Sequence, residues 1–77
     1  METKTQIIDG TLIRLEYHGS RIDMVIKVAG EELPYTGTMP KSMYDSHQVG
    51  DRVVITANVD KYADQFGFYF SNPRRVL

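Results

Sequence analysis

Two histidines, His18 and His47, are the first residues to question for chemistry, and neither stands in a pattern that performs any. A zinc site needs histidine or cysteine partners at ligand spacing, and this chain has no cysteine and no second histidine near either one. Acid–base or nucleophilic catalysis needs an activated nucleophile, a phosphate-cradling loop or a close carboxylate pair beside the imidazole, and none is visible. Glu31-Glu32 reads as a solvated turn, and His47, between Asp45 and Asp51, reads as a residue at the end of a short helix. No enzyme, no metal and no cofactor is therefore expected.

The remaining chemistry-bearing residues are aromatic and cationic. Phe66, Phe68 and Phe70 alternate along the chain, and phenylalanines at that parity are expected to form core rather than a stacking surface, which leaves Tyr69 as the outward member. Arg74-Arg75 could hold phosphate or an acidic partner, although two arginines near a terminus are usually solvated.

These side chains must be carried by strands. The clearest lies in His47–Val59, where Val49, Val53, Ile55, Ala57 and Val59 share one face and Arg52, Thr56 and Asn58 take the other, after a Gly50-Asp51 turn. Upstream, Gln6–Tyr17 forms a long first strand whose apolar parity changes: Ile8 and Leu12 share one face, Ile13, Leu15 and Tyr17 the opposite one. A bulge or bend near Gly10 to Ile13 accounts for the change. The turn His18-Gly19-Ser20 leads into Arg21–Val28, with Ile22, Met24, Ile26 and Val28 inward, so the first two strands form a hairpin. After the turn at residues 29–32, Leu33–Thr38 is a weaker strand, and Pro34, which lacks an amide donor, places it at an edge. Pro40 to about His47 reads as a short helix ended by Gly50, Asp60–Gln65 as a polar loop, and Phe66 to Asn72-Pro73 as the last strand, with Arg74 to Leu77 trailing.

Length and charge bound the function. A single domain of 77 residues has a small core, worth roughly 3–5 kcal/mol at most by itself. Apolar content of 42 % with mixed charges argues against disorder. The polar start, the absence of any long apolar run and the absence of cysteine suggest a cytoplasmic chain, complete from Met1, with no membrane contact. Net charge is −1, so no global positive field attracts a polyanion. Residues 1–30 are neutral, residues 31–60 sum to −3, and residues 61–77 sum to +2, so what positive charge there is lies near the end.

Three strands, a short helix and two strands, with a bent first strand containing Gly10 and the run Val49-Gly50-Asp51-Arg52-Val53 leading to Val59, resemble the OB-fold. The resemblance implies a mainly β, five-stranded Greek-key barrel with a short helix between strands 3 and 4, formed by residues 1–77 as one OB-like domain. It also implies a place to look, because OB domains bind oligonucleotides or oligosaccharides across strands 2 and 3 and the flanking loops. Carried over by position, the platform is Arg14, Arg21, Asp23, Val25, Lys27 and Tyr35, with Tyr17, His18 and Ser20 in one loop and Lys61, Tyr62 and Gln65 in the other. Single-stranded nucleic acid needs aromatic faces for bases and cations for phosphates. Tyr17, Arg21, Lys27, Lys61, Tyr62 and Tyr69 are the expected contacts, with Arg74 and Arg75 as further cations. Glu16 and Asp23 interrupt that track, so binding to single-stranded DNA or RNA would be weak and salt-sensitive.

A second class stands beside the first. Val25 and Val54 point outward in these strand phases, and an incomplete barrel of this size leaves edges that a protein partner, or a second copy forming a homodimer, could cover. Val25, Tyr35, Val54 and the Val76-Leu77 tail would then form the interface of a small adaptor or inhibitor, of the sort found as a phage- or plasmid-type accessory protein.

Overall fold

A first strand longer than the molecule sets the architecture. The computed structural model describes residues 3–41, 47–60 and 62–76. In it β1 covers Thr3–His18, and sixteen residues at about 3.3 Å each would span roughly 50 Å if straight. The whole molecule measures only 30 Å along its longest axis, so β1 coils, and it serves two neighbours. Thr3 to Thr11 pair antiparallel with β4 (Arg52–Asp60), and Thr11 to His18 pair antiparallel with β2 (Arg21–Lys27).

The expected irregularity in β1 is present and falls between Leu12 and Arg14. Leu12 faces Ile26 and Leu15 faces Met24, so Ile13 is the extra residue that lets both leucines turn inward. Ile13 itself is exposed, whereas Leu15, expected on the same face, packs against the core. Gly10 has a different task. A Cβ there would lie 2.4 Å from the Lys27 carbonyl oxygen, so the glycine permits the end of β2 to approach β1.

Closure comes from the other end of the chain. β3 (Tyr35–Pro40) pairs antiparallel with β2, β5 (Phe68–Arg75) pairs parallel with β3 over Tyr35 to Gly37, and β5 then pairs antiparallel with β4. The result is a closed five-stranded barrel in the order β1-β2-β3-β5-β4. The expectation of an edge at β3 is thereby corrected: Pro34 precedes the strand, and its carbonyl accepts the Phe68 amide at 2.9 Å. The expected five-stranded barrel is present and closed, so among the described strands there is no open edge of the kind expected to receive a partner.

Inward residues of every strand meet in one core: Ile8, Leu12, Ile22, Met24, Ile26, Tyr35, Met39, Val53, Ile55, Ala57, Val59 and Phe70. The period-two reading of β2 and β4 holds from Ile22 to Ile26 and from Val53 to Val59. Periodicity fails just before β4 and again just before β5. Val49 lies before the Gly50 turn, whose φ of 101° breaks the alternation, and is 60 % exposed. Phe66 is 68 % exposed because Gly67, at φ 129°, separates it from the strand that carries Phe68 and Phe70.

β5 also continues beyond the expected stop at Asn72-Pro73. Between Ser71, opposite Asn58, and Arg74, opposite Thr56, it holds one residue more than β4. Asn72 takes φ 49°, a conformation asparagine tolerates, and proline is tolerated at a bulge because no ladder donor is needed there. Arg74 and Arg75 are therefore strand residues. The helix expected from Pro40 to about His47 falls largely on residues 42–46, outside the described residues. Pro40 closes β3, and no helix is among the elements that the described residues form.

Candidate nucleic-acid interface

Outward residues alternate with the core residues just described, and on one side of the barrel they are small and polar. Thr36 and Thr38 on β3, Thr56 and Asn58 on β4 and Ser71 on β5 leave the surface low, while Arg21 on β2 and Arg74 on β5 carry charge. Two adjoining hollows result, of about 660 and 450 Å³, both lined by Arg21, Thr38 and Asn72. The larger reaches Thr5, Thr56, Asn58 and Arg74, and the smaller reaches Asp23, Thr36 and Tyr69. Together they form one groove across β2, β3, β5 and β4. β3 and β5 are paired from Tyr35 to Gly37 and β5 joins β4 further on, so the groove runs over the place where β3 and β5 part.

Three of the expected contacts, Arg21, Tyr69 and Arg74, line this groove although they are far apart in sequence. Tyr69 is 37 % exposed, and its hydroxyl donates to Asp64 Oδ2 at 2.9 Å, which anchors the ring from the β4–β5 loop. That hydrogen bond to a carboxylate, aided by slight desolvation and the Asp64 charge, raises the phenol pKa, so the hydroxyl stays protonated. Tyr17 stands at the end of β1, about half exposed, with Lys41 Nζ 5.8 Å from its ring centroid.

Other expected contacts are elsewhere. Lys27 ends β2, about 20 Å along the strand from Arg21, and its ammonium donates a hydrogen bond to the Glu31 carbonyl. Tyr62 is 75 % exposed in the loop after β4, Arg75 is exposed on β5, and Lys61 lies outside the described residues.

Of the expected interface residues, Val25 is half-buried on the outside of β2. Tyr35 and Val54 require correction. Tyr35 is 4 % exposed and belongs to the core, stacked on Phe68 with ring centroids 4.9 Å apart. Burial raises its hydroxyl pKa, and the nearby Glu31 carboxylate adds to that, against a weak opposing hydrogen bond from Gln6. Val54 is 7 % exposed despite its outward parity, next to the hydrogen bond that the Val76 amide donates to its carbonyl. The apolar surface lies instead on Ile7, Ile13, Val49, Phe66 and Val76.

Beside the groove, register creates a cluster that separations along the chain conceal. Glu16 on β1 is directly opposite Asp23 on β2, and His18 follows two residues along β1 on the same face. His18 Nε2 is 3.3 Å from Glu16 Oε2 and 3.3 Å from Asp23 Oδ2. Arg14 holds the other oxygen of Glu16, and Thr38 Oγ1 donates to the other oxygen of Asp23 at 3.0 Å. The hydrogen bond from Arg14, with help from His18, keeps the Glu16 carboxyl below its usual pKa. The groove threonines and asparagines were also missed by sequence reasoning. Their signal was the outward half of each alternation, which repeats Thr, Asn and Ser in β3, β4 and β5.

No family model matches the chain, and no significant match is found among curated proteins or solved structures. Among the described residues no helix is long and apolar enough to cross a membrane.

Proposed function

We propose that this chain is an OB-like Greek-key barrel that binds single-stranded nucleic acid along the groove between Arg21 and Arg74. The OB-like reading is supported by the strand order, by a first strand shared between β2 and β4, and by the parallel pairing of β3 with β5. The observation that carries the functional reading is the convergence of two arginines and an exposed tyrosine, from β2 and β5, on one continuous polar groove. Arginine matches phosphate oxygens with a planar fork of donors, the Tyr69 ring offers a face for a base, and the threonine and asparagine side chains can donate to sugar or base edges. Lys27 leaves the set because of its distance from Arg21, and Asn58 and Asn72 join it.

A fluorescence titration of labelled single-stranded DNA and RNA, at about 20 and about 200 mM salt, tests this reading. Two phosphate contacts on a single strand give a slope near −1.4, so affinity should fall about 25-fold across that range. Arg21→Ala and Arg74→Ala should each flatten the slope. Absence of binding at the lower salt defeats the proposal.

One observation favours a protein-interaction module instead: Ile7 is 64 % exposed on β1 and Val76 is 49 % exposed beyond β5, close to the β1–β4 side of the barrel. A self-associating or partner-binding chain would use that apolar side, and sedimentation of a concentration series distinguishes it from a monomer with a groove ligand.

A further inference from the structure

We infer that Glu16, His18 and Asp23 form a binding site for a divalent transition-metal ion, with Zn²⁺ the best match. The ligand atoms are one imidazole nitrogen and two carboxylate oxygens, all within 4.8 Å of one another. In a tetrahedral set with bonds of about 2.1 Å, ligand atoms stand about 3.4 Å apart. The two separations from His18 Nε2, each 3.3 Å, already have that value.

The surroundings orient the set. Each carboxylate has one oxygen occupied by a donor from outside the cluster, Arg14 Nε on Glu16 Oε1 at 2.8 Å and Thr38 Oγ1 on Asp23 Oδ1 at 3.0 Å. The remaining oxygens, Glu16 Oε2 and Asp23 Oδ2, are the ones near His18 Nε2. Partners of this kind fix the direction of metal-ligating carboxylates. Glu16 and Asp23 are like charges directly opposed across a strand pair, and a metal ion beside His18 would add to the relief that Arg14 gives that repulsion.

The donor set selects the metal. An imidazole nitrogen favours Zn²⁺ over Mg²⁺ or Ca²⁺, which prefer all-oxygen shells. Three protein ligands leave at least one position for water, and the partial exposure of all three side chains keeps it accessible. Arg14 places positive charge on the far side of Glu16, which limits the affinity to a modest value. The assignment does not rest on nucleic-acid binding, and Asp23 lines both the site and the groove.

Calorimetric titration of the 77-residue protein with Zn²⁺ alone, with histidine ring signals followed by NMR, tests the assignment. One ion should bind with micromolar affinity and shift the His18 ring signals. His18→Gln and Asp23→Asn should each weaken binding at least tenfold, and Thr38→Val, which removes only the donor that orients Asp23, should weaken it about tenfold while leaving the circular dichroism spectrum unchanged. His47→Gln should bind as the unaltered protein does. Affinity unchanged by His18→Gln or Asp23→Asn, or no heat and no ring shift up to millimolar Zn²⁺, overturns the assignment.

Discussion

The Phe70 ring on β5 occupies the space above Gly37 on β3, where a Cβ at position 37 would lie 2.3 Å from the nearest ring atom. The two residues are Cα partners at the end of the parallel β3–β5 ladder, and both lie on the inward face, Gly37 between Tyr35 and Met39. A residue without a side chain on one strand lets an aromatic ring on the next fill the seam. The β3–β5 seam that closes the barrel is packed by this pair.

Gly37→Ala should destabilise the fold by about 1–3 kcal/mol, because the added methyl meets a buried ring that has little room to give. Chemical denaturation should show a lower midpoint with an unchanged slope. A midpoint equal to that of the unaltered protein would mean that Phe70 does not pack over position 37.

The three phenylalanines should behave differently when truncated. Phe70 is 6 % exposed, and Phe70→Ala should cost about 3–5 kcal/mol. Phe66 stands in solvent before Gly67, and Phe66→Ser should change stability by no more than about 0.5 kcal/mol. Thermal or denaturant unfolding of both variants checks the ranking, and equal losses would place Phe66 in the core after all.

Asp9 on β1 and Arg52 on β4 form a two-point ion pair, with Nε 3.0 Å from Oδ1 and Nη2 2.8 Å from Oδ2. The hydrogen bond from Arg52 holds the Asp9 carboxyl below its ordinary value, against slight desolvation and with help from the guanidinium charge. A carboxyl with a lower pKa in the folded state stabilises the fold above its unfolded pKa of about 3.8, and that contribution is lost as pH falls through the folded value. Asp9→Asn should therefore reduce the melting temperature slightly at pH 7 and have no effect once the carboxyl is protonated in both states. A difference that persists or grows at the lowest pH would contradict the pairing.

Much of this barrel was legible because burial dictates alternation. Ile22, Met24 and Ile26 in β2, and Val53 through Val59 in β4, announce their inward face directly. The parity change in β1 also announced a bulge, since Leu12 and Leu15 can both be inward only with an extra residue between them. What could not be read was anything decided by pairing between distant strands. Tyr35 looked like a surface residue because the parallel β3–β5 ladder that buries it joins segments more than thirty residues apart. Phe66 was misplaced because periodicity does not reveal that Gly67 takes a positive φ. The Glu16, His18 and Asp23 cluster lies within the expected hairpin, but its register is set by the two-residue turn at Gly19 and Ser20, which parity alone does not fix. The groove was half legible: its arginines and tyrosine were named, while the polar floor between them was passed over.

The central claim is that Arg21 and Arg74, from opposite walls of one groove, meet the same ligand strand. Amide chemical-shift mapping with a short single-stranded oligonucleotide at low salt tests it most directly. The account predicts perturbations at Arg21, Thr38, Asn58, Tyr69, Asn72 and Arg74, with Lys27 and Ile7 unmoved. Perturbations centred on Lys27 and Glu31, or an unchanged spectrum at saturating oligonucleotide, would contradict it.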